Sequence, residues 1–131
     1  MRIRWILPAA ALCAIAGVAA AHHSFTATYF EDRTMEIEGK LLQFMFRNPH
    51  SFVHVEAPDE NGQLQRWAVE WGGAGQLSGQ GVTNQTLRVG DVVSITGNPG
   101  RDPADHRLRM QYLRRNSDGF EWGRNPGETF N

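Results

Sequence analysis

The chain has 131 residues, 13 of them basic and 14 acidic, for a formal net charge of −1, and it carries a single cysteine. That length allows one domain with a modest core, the charge gives no electrostatic footprint for nucleic acid, and one cysteine excludes an intrachain disulfide framework.

The first 21 residues read as a signal peptide: Arg2 and Arg4, an apolar run from Trp5 to Val18, then Ala19-Ala20-Ala21 at the small-residue positions of a cleavage site. The run is short and Ala-rich for a membrane span, and no second hydrophobic segment follows, so no stable membrane anchor is expected. The expected product is exported, periplasmic or secreted. Removal of the leader takes Arg2, Arg4 and Cys13 with it, leaving 11 basic against 14 acidic residues, a charge of −3, and neither a thiolate ligand nor a thiol nucleophile.

Residues 24–32 are polar with interspersed Phe25, Tyr29 and Phe30, and predict an extended arm that packs its aromatics on the body. In Thr34 to Glu38 apolar residues alternate with acids at period two, a half-buried strand. The alternation slips at Gly39-Lys40, and the later apolar set is Leu42, Phe44 and Phe46; a glycine at a face switch predicts a bulge that lets one strand serve two sheets. Arg47-Asn48-Pro49-His50 is a turn.

Ser51 to Ala57 and Gln63 to Trp71 form a hairpin around Pro58-Asp59-Glu60-Asn61-Gly62. A three-residue loop with a glycine bulge pairs Asp59 with Gln63, and puts Val55 opposite Trp67, Val53 opposite Val69 and Glu56 opposite Arg66. Gly72 to Gly81 has one weak helical centre and no phosphate-loop pattern, so it predicts a connection over a barrel end. Val92 to Thr96 and Arg107 to Leu113 are two further strands, the latter with Leu108, Met110 and Tyr112 inward. Five strands, a bent first one and a single helix candidate between the third and fourth predict an all-β fold, a small five-stranded OB-like barrel over residues 22–115 with a polar tail, 116–131, pinned by Phe120 and Trp122.

Chemistry concentrates at the leader junction, in His22 and His23. Cleavage after Ala21 leaves His22 first, with its amine and ring able to chelate one ion; cleavage after Ala20 leaves Ala21-His22-His23, whose amine, amides and third-position imidazole suit square-planar copper(II) or nickel(II), and both forms favour copper. His50, in a turn that can aim it, is the expected partner. His54 lies too far along the strand to share an ion with His50, at about 13 Å for a spacing of four, and His106 reads as a loop residue. The predicted metal ligands are therefore His22, His23 and His50, with copper(II) as the ion. Arg66, Arg107, Arg109, Arg114 and Arg115, with Phe52 nearby, suggest instead a face for a small anionic ligand, and an interaction module without metal, binding protein or anion, is the alternative reading. No catalytic constellation is recognisable, and no enzyme is expected.

His22-His23-Ser24-Phe25, Asn48-Pro49-His50, Trp67 to Trp71 and Leu87 to Gly97 together make the chain resemble the small exported bacterial proteins grouped as domain of unknown function 6152. The resemblance covers roughly residues 21–113. It implies export and a small β-barrel and brings no established activity.

Overall fold

The computed structural model describes residues 25–124. The leader, His22, His23 and the last seven residues lie outside them.

The long first strand, β1 (Met35–Met45), is what makes a barrel of the chain. Its first half pairs antiparallel with β4 (Val92–Pro99), from Met35 opposite Gly97 to Lys40 opposite Val92. Its second half pairs with β2 (Phe52–Pro58), from Lys40 opposite Glu56 to Met45 opposite Phe52. One strand thus serves two sheets, as the slip in its alternation predicts. The extra residue, however, is Leu42, between Leu41 and Gln43, whereas the expected bulge fell at Gly39-Lys40. Gly39 has a different task. A Cβ there would stand 2.0 Å from the Glu56 carbonyl oxygen and 2.8 Å from the Ala57 Cβ, so its lack of a side chain is what lets β1 cross β2 at the corner.

The β2–β3 hairpin folds in the expected register. In β3 (Leu64–Glu70) Trp67 faces Val55, Val69 faces Val53 and Arg66 faces Glu56. The Asp59 amide donates to the Gln63 carbonyl at 2.8 Å, and Gly62 takes a φ of 77°, a conformation that costs a side-chain-bearing residue. Asp59 also accepts from the amides of Asn61 and Gln63.

A parallel pairing of β3 with β5 (Arg107–Arg115), Ala68 opposite Arg107 through Glu70 opposite Arg109, closes the ring. With β4 and β5 antiparallel, the circuit runs β1-β2-β3-β5-β4 and back to β1. This is a closed five-stranded, OB-like barrel. Inside lie Ile37, Leu41, Val53, Val55, Val69, Val93, Ile95, Leu108 and Leu113. A short helix, α1 (Ala74–Ser78), sits between β3 and β4 and lowers Leu77 into one end of the barrel, fully buried beside Val82 and Leu87. The glycines before it let it approach: a Cβ on Gly73 would meet the Pro49 carbonyl oxygen at 2.5 Å.

A sixth strand, β6 (Glu121–Gly123), adds to the open side of β5 outside the closed circuit. Phe120 and Trp122 pack on the core, as the sequence suggests. Arg115 fixes the turn that returns the chain, donating to the Thr86 carbonyl, Asp91 and Asp118, and its hydrogen bond holds the Asp118 carboxyl at a pKa of about 2.

Replacing Gly39 by Ala is expected to cost about 2–3 kcal/mol, because the clash is with backbone in a close-packed corner. Gly62→Ala, strained but in open space, should cost about 1 kcal/mol. Urea unfolding of the two variants checks the order.

Candidate functional site

Ser51 positions the turn that carries His50. Its hydroxyl accepts from the Arg47 amide and donates to the Arg47 carbonyl, each at 3.2 Å. Its own amide donates to the Gly72 carbonyl, and its carbonyl accepts from the Trp71 amide. The turn, with a cis Asn48-Pro49 bond, is thereby stitched to the end of β3. Asn48 Oδ1 accepts from the Gly75 amide at 3.1 Å, joining α1 to the same corner.

This places His50 Nδ1 3.2 Å from Glu70 Oε1. The Glu70 side chain is only 13% exposed, and a carboxylate removed from water needs compensation. It has three partners: Tyr29 Oη donates to Oε2 at 2.5 Å, Arg107 Nη2 lies 3.7 Å from the same oxygen, and His50 faces the other one. Tyr29 is fully buried. Burial first, then the hydrogen bond and charge of Glu70, push its hydroxyl pKa far above the ordinary 10.0.

Tyr29 comes from the arm, which departs from the extended form expected. Residues 25–28 make one helical turn, closed by the Tyr29 amide on the Phe25 carbonyl. Loop β4–β5 satisfies its free carbonyls: Arg101 Nε donates to Thr26 O at 2.6 Å and the Arg101 amide to Thr28 O. The aromatics do pack on the body as predicted. Phe25 meets His50 edge-on at 5.5 Å between centroids, and the Arg109 guanidinium lies 3.9 Å from the Phe25 centroid.

Two cavities flank His50, and Phe25, Pro49 and Glu70 also line both. One, of about 460 Å³, reaches Arg47, Phe52 and Arg107. The other, of about 290 Å³, reaches Trp71, Gln76, Arg109 and Trp122. In the wall of the second, Trp71 is 3% exposed and its Nε1 is buried with no hydrogen-bond partner among the described residues. An unpaired buried donor costs about 1–3 kcal/mol.

Of the three predicted metal ligands, His50 is the one described; His22 and His23 lie outside the described residues. Among those residues no three His, Cys, Asp or Glu side chains converge as a metal cluster, and no helix is long and apolar enough to cross a membrane. His54 accepts from Arg66 Nε through Nδ1 at 3.2 Å. Burial, with Arg66 and Arg47 nearby, lowers its pKa. His106 caps the 3₁₀ turn Pro103–Asp105 and meets Trp67 edge-on at 5.2 Å, beside another cavity. The arginines do not act as one face: Arg66 binds His54 and Gln43, Arg107 pairs with Glu70, Arg109 with Glu31, and Arg115 with Asp91 and Asp118.

Sequence reasoning missed Tyr29, Glu70 and Arg107 as one unit. The signal for Glu70 was present: an acid between Val69 and Trp71, opposite Phe52 and two residues from His50 in the hairpin register.

Because the folded state holds Tyr29 protonated above its unfolded pKa, its stability contribution is complete below pH 10 and falls as pH rises beyond it. The urea midpoint of the wild type should therefore drop more steeply between pH 10 and 12 than that of Tyr29→Phe, although the variant is less stable at neutral pH.

No curated protein matches the chain. Among solved structures, the mitochondrial single-stranded DNA-binding protein Rim1 of S. cerevisiae is similar at 14% identity and a TM-score of 0.49, over 69% of this chain and 100% of that one. The family of unknown function DUF6152 matches residues 10–109, most of the chain, which belongs to that family.

Proposed function

We propose that this is an exported copper-binding protein whose site is assembled from the processed N-terminus and His50. The observation that carries the reading is the pair of contacts at His50. Its Nδ1 faces Glu70 at 3.2 Å, and the arm reaches its ring through Phe25. An imidazole whose Nδ1 faces a carboxylate is oriented by it, with Nε2 left for a metal. Tyr29 and Arg107 fix that carboxylate in turn.

Two residues, His23 and Ser24, separate Phe25 from His22, so three Cα steps give a reach of at most about 10 Å. That is enough to bring the amine and imidazole of a terminus starting at Ala21 or His22 to His50. Nitrogen ligands without thiolate suit copper(II) and an oxidising compartment, which is where a signal peptide would deliver the chain. A module that binds protein or a small anion without metal is the alternative, with the histidines then structural.

Mass spectrometry of the exported protein fixes its first residue. Copper(II) titration of that species should then show His22→Ala and His50→Ala each weakening binding by about tenfold or more, and Glu70→Gln by about 10- to 100-fold through loss of the orienting carboxylate. Unchanged affinity in both histidine variants would overturn the reading.

A further inference from the structure

The two ends of the barrel are finished differently. Where β3 stops and β4 starts, α1 lowers Leu77 into the interior. At the opposite end, where β1, β3 and β5 begin and β2 and β4 finish, the arm and two loops surround a cavity of about 480 Å³. The mouth of a barrel is a common place for a small ligand. The arm side of this mouth is fixed by buried Asn98, whose amide donates to the Arg33 carbonyl at 2.8 Å, and by the Phe30 amide on the Pro99 carbonyl. The floor is apolar, formed by Met35, Pro99 and the 5% of Trp67 that remains exposed, and the Trp67 indole is already used on the Ala57 carbonyl at 3.2 Å.

The rim is polar, and part of it is committed elsewhere. Both oxygens of Asp59 accept within the hairpin loop, and Arg107 is turned toward Glu70. Three charged or titratable groups are left over. Arg33 lies over the Phe30 ring at 4.1 Å with no carboxylate partner among the described residues. Glu60, at the loop tip, has no partner among them either, and the His106 imidazole meets Trp67 edge-on without a hydrogen bond. His106 takes a φ of 45°, a left-handed conformation that a side chain disfavours, and its carbonyl is tied to the Ala68 amide at 2.9 Å.

We infer that this mouth binds a small α-amino acid with an apolar side chain, its ammonium at Glu60, its carboxylate at Arg33 and its side chain on the floor. A cavity faced by a carboxylate and a guanidinium that do not pair with each other matches a ligand carrying both charges. An anion would meet Glu60 with like charge, and a cation would meet Arg33; a polyol would satisfy the rim and leave the apolar floor uncovered. The volume admits an aromatic amino acid with room for water at His106. Arg107 alone lines both this cavity and one beside His50, so the inference requires neither the N-terminal histidines nor a metal.

Amino acids chelate copper(II) themselves, so the test uses the exported protein kept metal-free with EDTA. L-Phenylalanine, 3-phenylpropionate and phenethylamine are compared by calorimetry, the last two each lacking one of the charges. Because both rim charges are exposed to solvent, affinity should be modest: saturable phenylalanine binding at millimolar concentration or below, with each analogue about tenfold weaker. Amide shifts in the ¹⁵N-labelled protein should fall at residues 33–35, 59–61 and 100–107. Arg33→Gln and Glu60→Gln should each weaken binding by about tenfold, and His50→Ala should leave it unchanged. Should Arg33→Gln loosen the arm, Glu60→Gln, at an exposed loop tip, still decides. No saturable binding up to the solubility of phenylalanine, equal binding of either analogue, an unaffected Glu60→Gln variant, or shifts confined to the His50 corner would each overturn the inference. None of these results touches the copper reading, which the histidine variants test separately.

Discussion

Glu70 is where the parts of this protein meet. It stands at the end of β3, in the segment that closes the barrel against β5, and its side chain is mostly out of water. A carboxylate in that position is costly unless donors surround it. The donors come from three separate regions: Tyr29 from the N-terminal arm, His50 from the turn between β1 and β2, and Arg107 from the first position of β5. Removing the charge would relax the need for all three. The carboxylate therefore fixes the path of the arm and the aim of the histidine together.

The same requirement explains why the arm is not simply extended. An extended arm could lay its rings on the barrel, but its carbonyls would face the Arg101 loop without the turn geometry that loop accommodates. A helical turn at residues 25–28 gathers the Thr26 and Thr28 carbonyls onto Arg101 and leaves Tyr29 pointing inward to pair with Gly100 and reach Glu70. Local propensity in residues 24–32 is weak, so the partner loop decides the conformation.

Much of the barrel is legible in the residues because its signals are local. The alternation in β2 and β3 and the Asp59 to Gly62 loop specify a register in which a one-residue slip would put Trp67 opposite a charge, and that register is the one found. The bulge was harder to place. Gly39 and Leu42 both lie near the face switch, and the choice depends on where β2 and β4 compete for β1, which is a tertiary matter. The candidate site is less legible still. His50 could be picked out from its turn, but Glu70 acquires meaning only when strand pairing, the Ser51 stitch and the returning arm bring their groups to it. The orphan indole of Trp71 leaves no mark in the sequence, since a tryptophan flanked by a core strand and a glycine-rich loop reads as packing.

These constraints also bear on how the two cavities can differ in chemistry while sharing a wall. His50 and Phe25 stand between them. The Glu70 carboxylate faces the imidazole at Nδ1, and Phe25 meets the same ring edge-on. On the Trp71 side the polar side chains are those of Gln76 and Arg109, beside the shared Glu70. The common dependence of the two cavities is structural: Phe25 of the arm lines both, and the arm is docked through Tyr29 on Glu70.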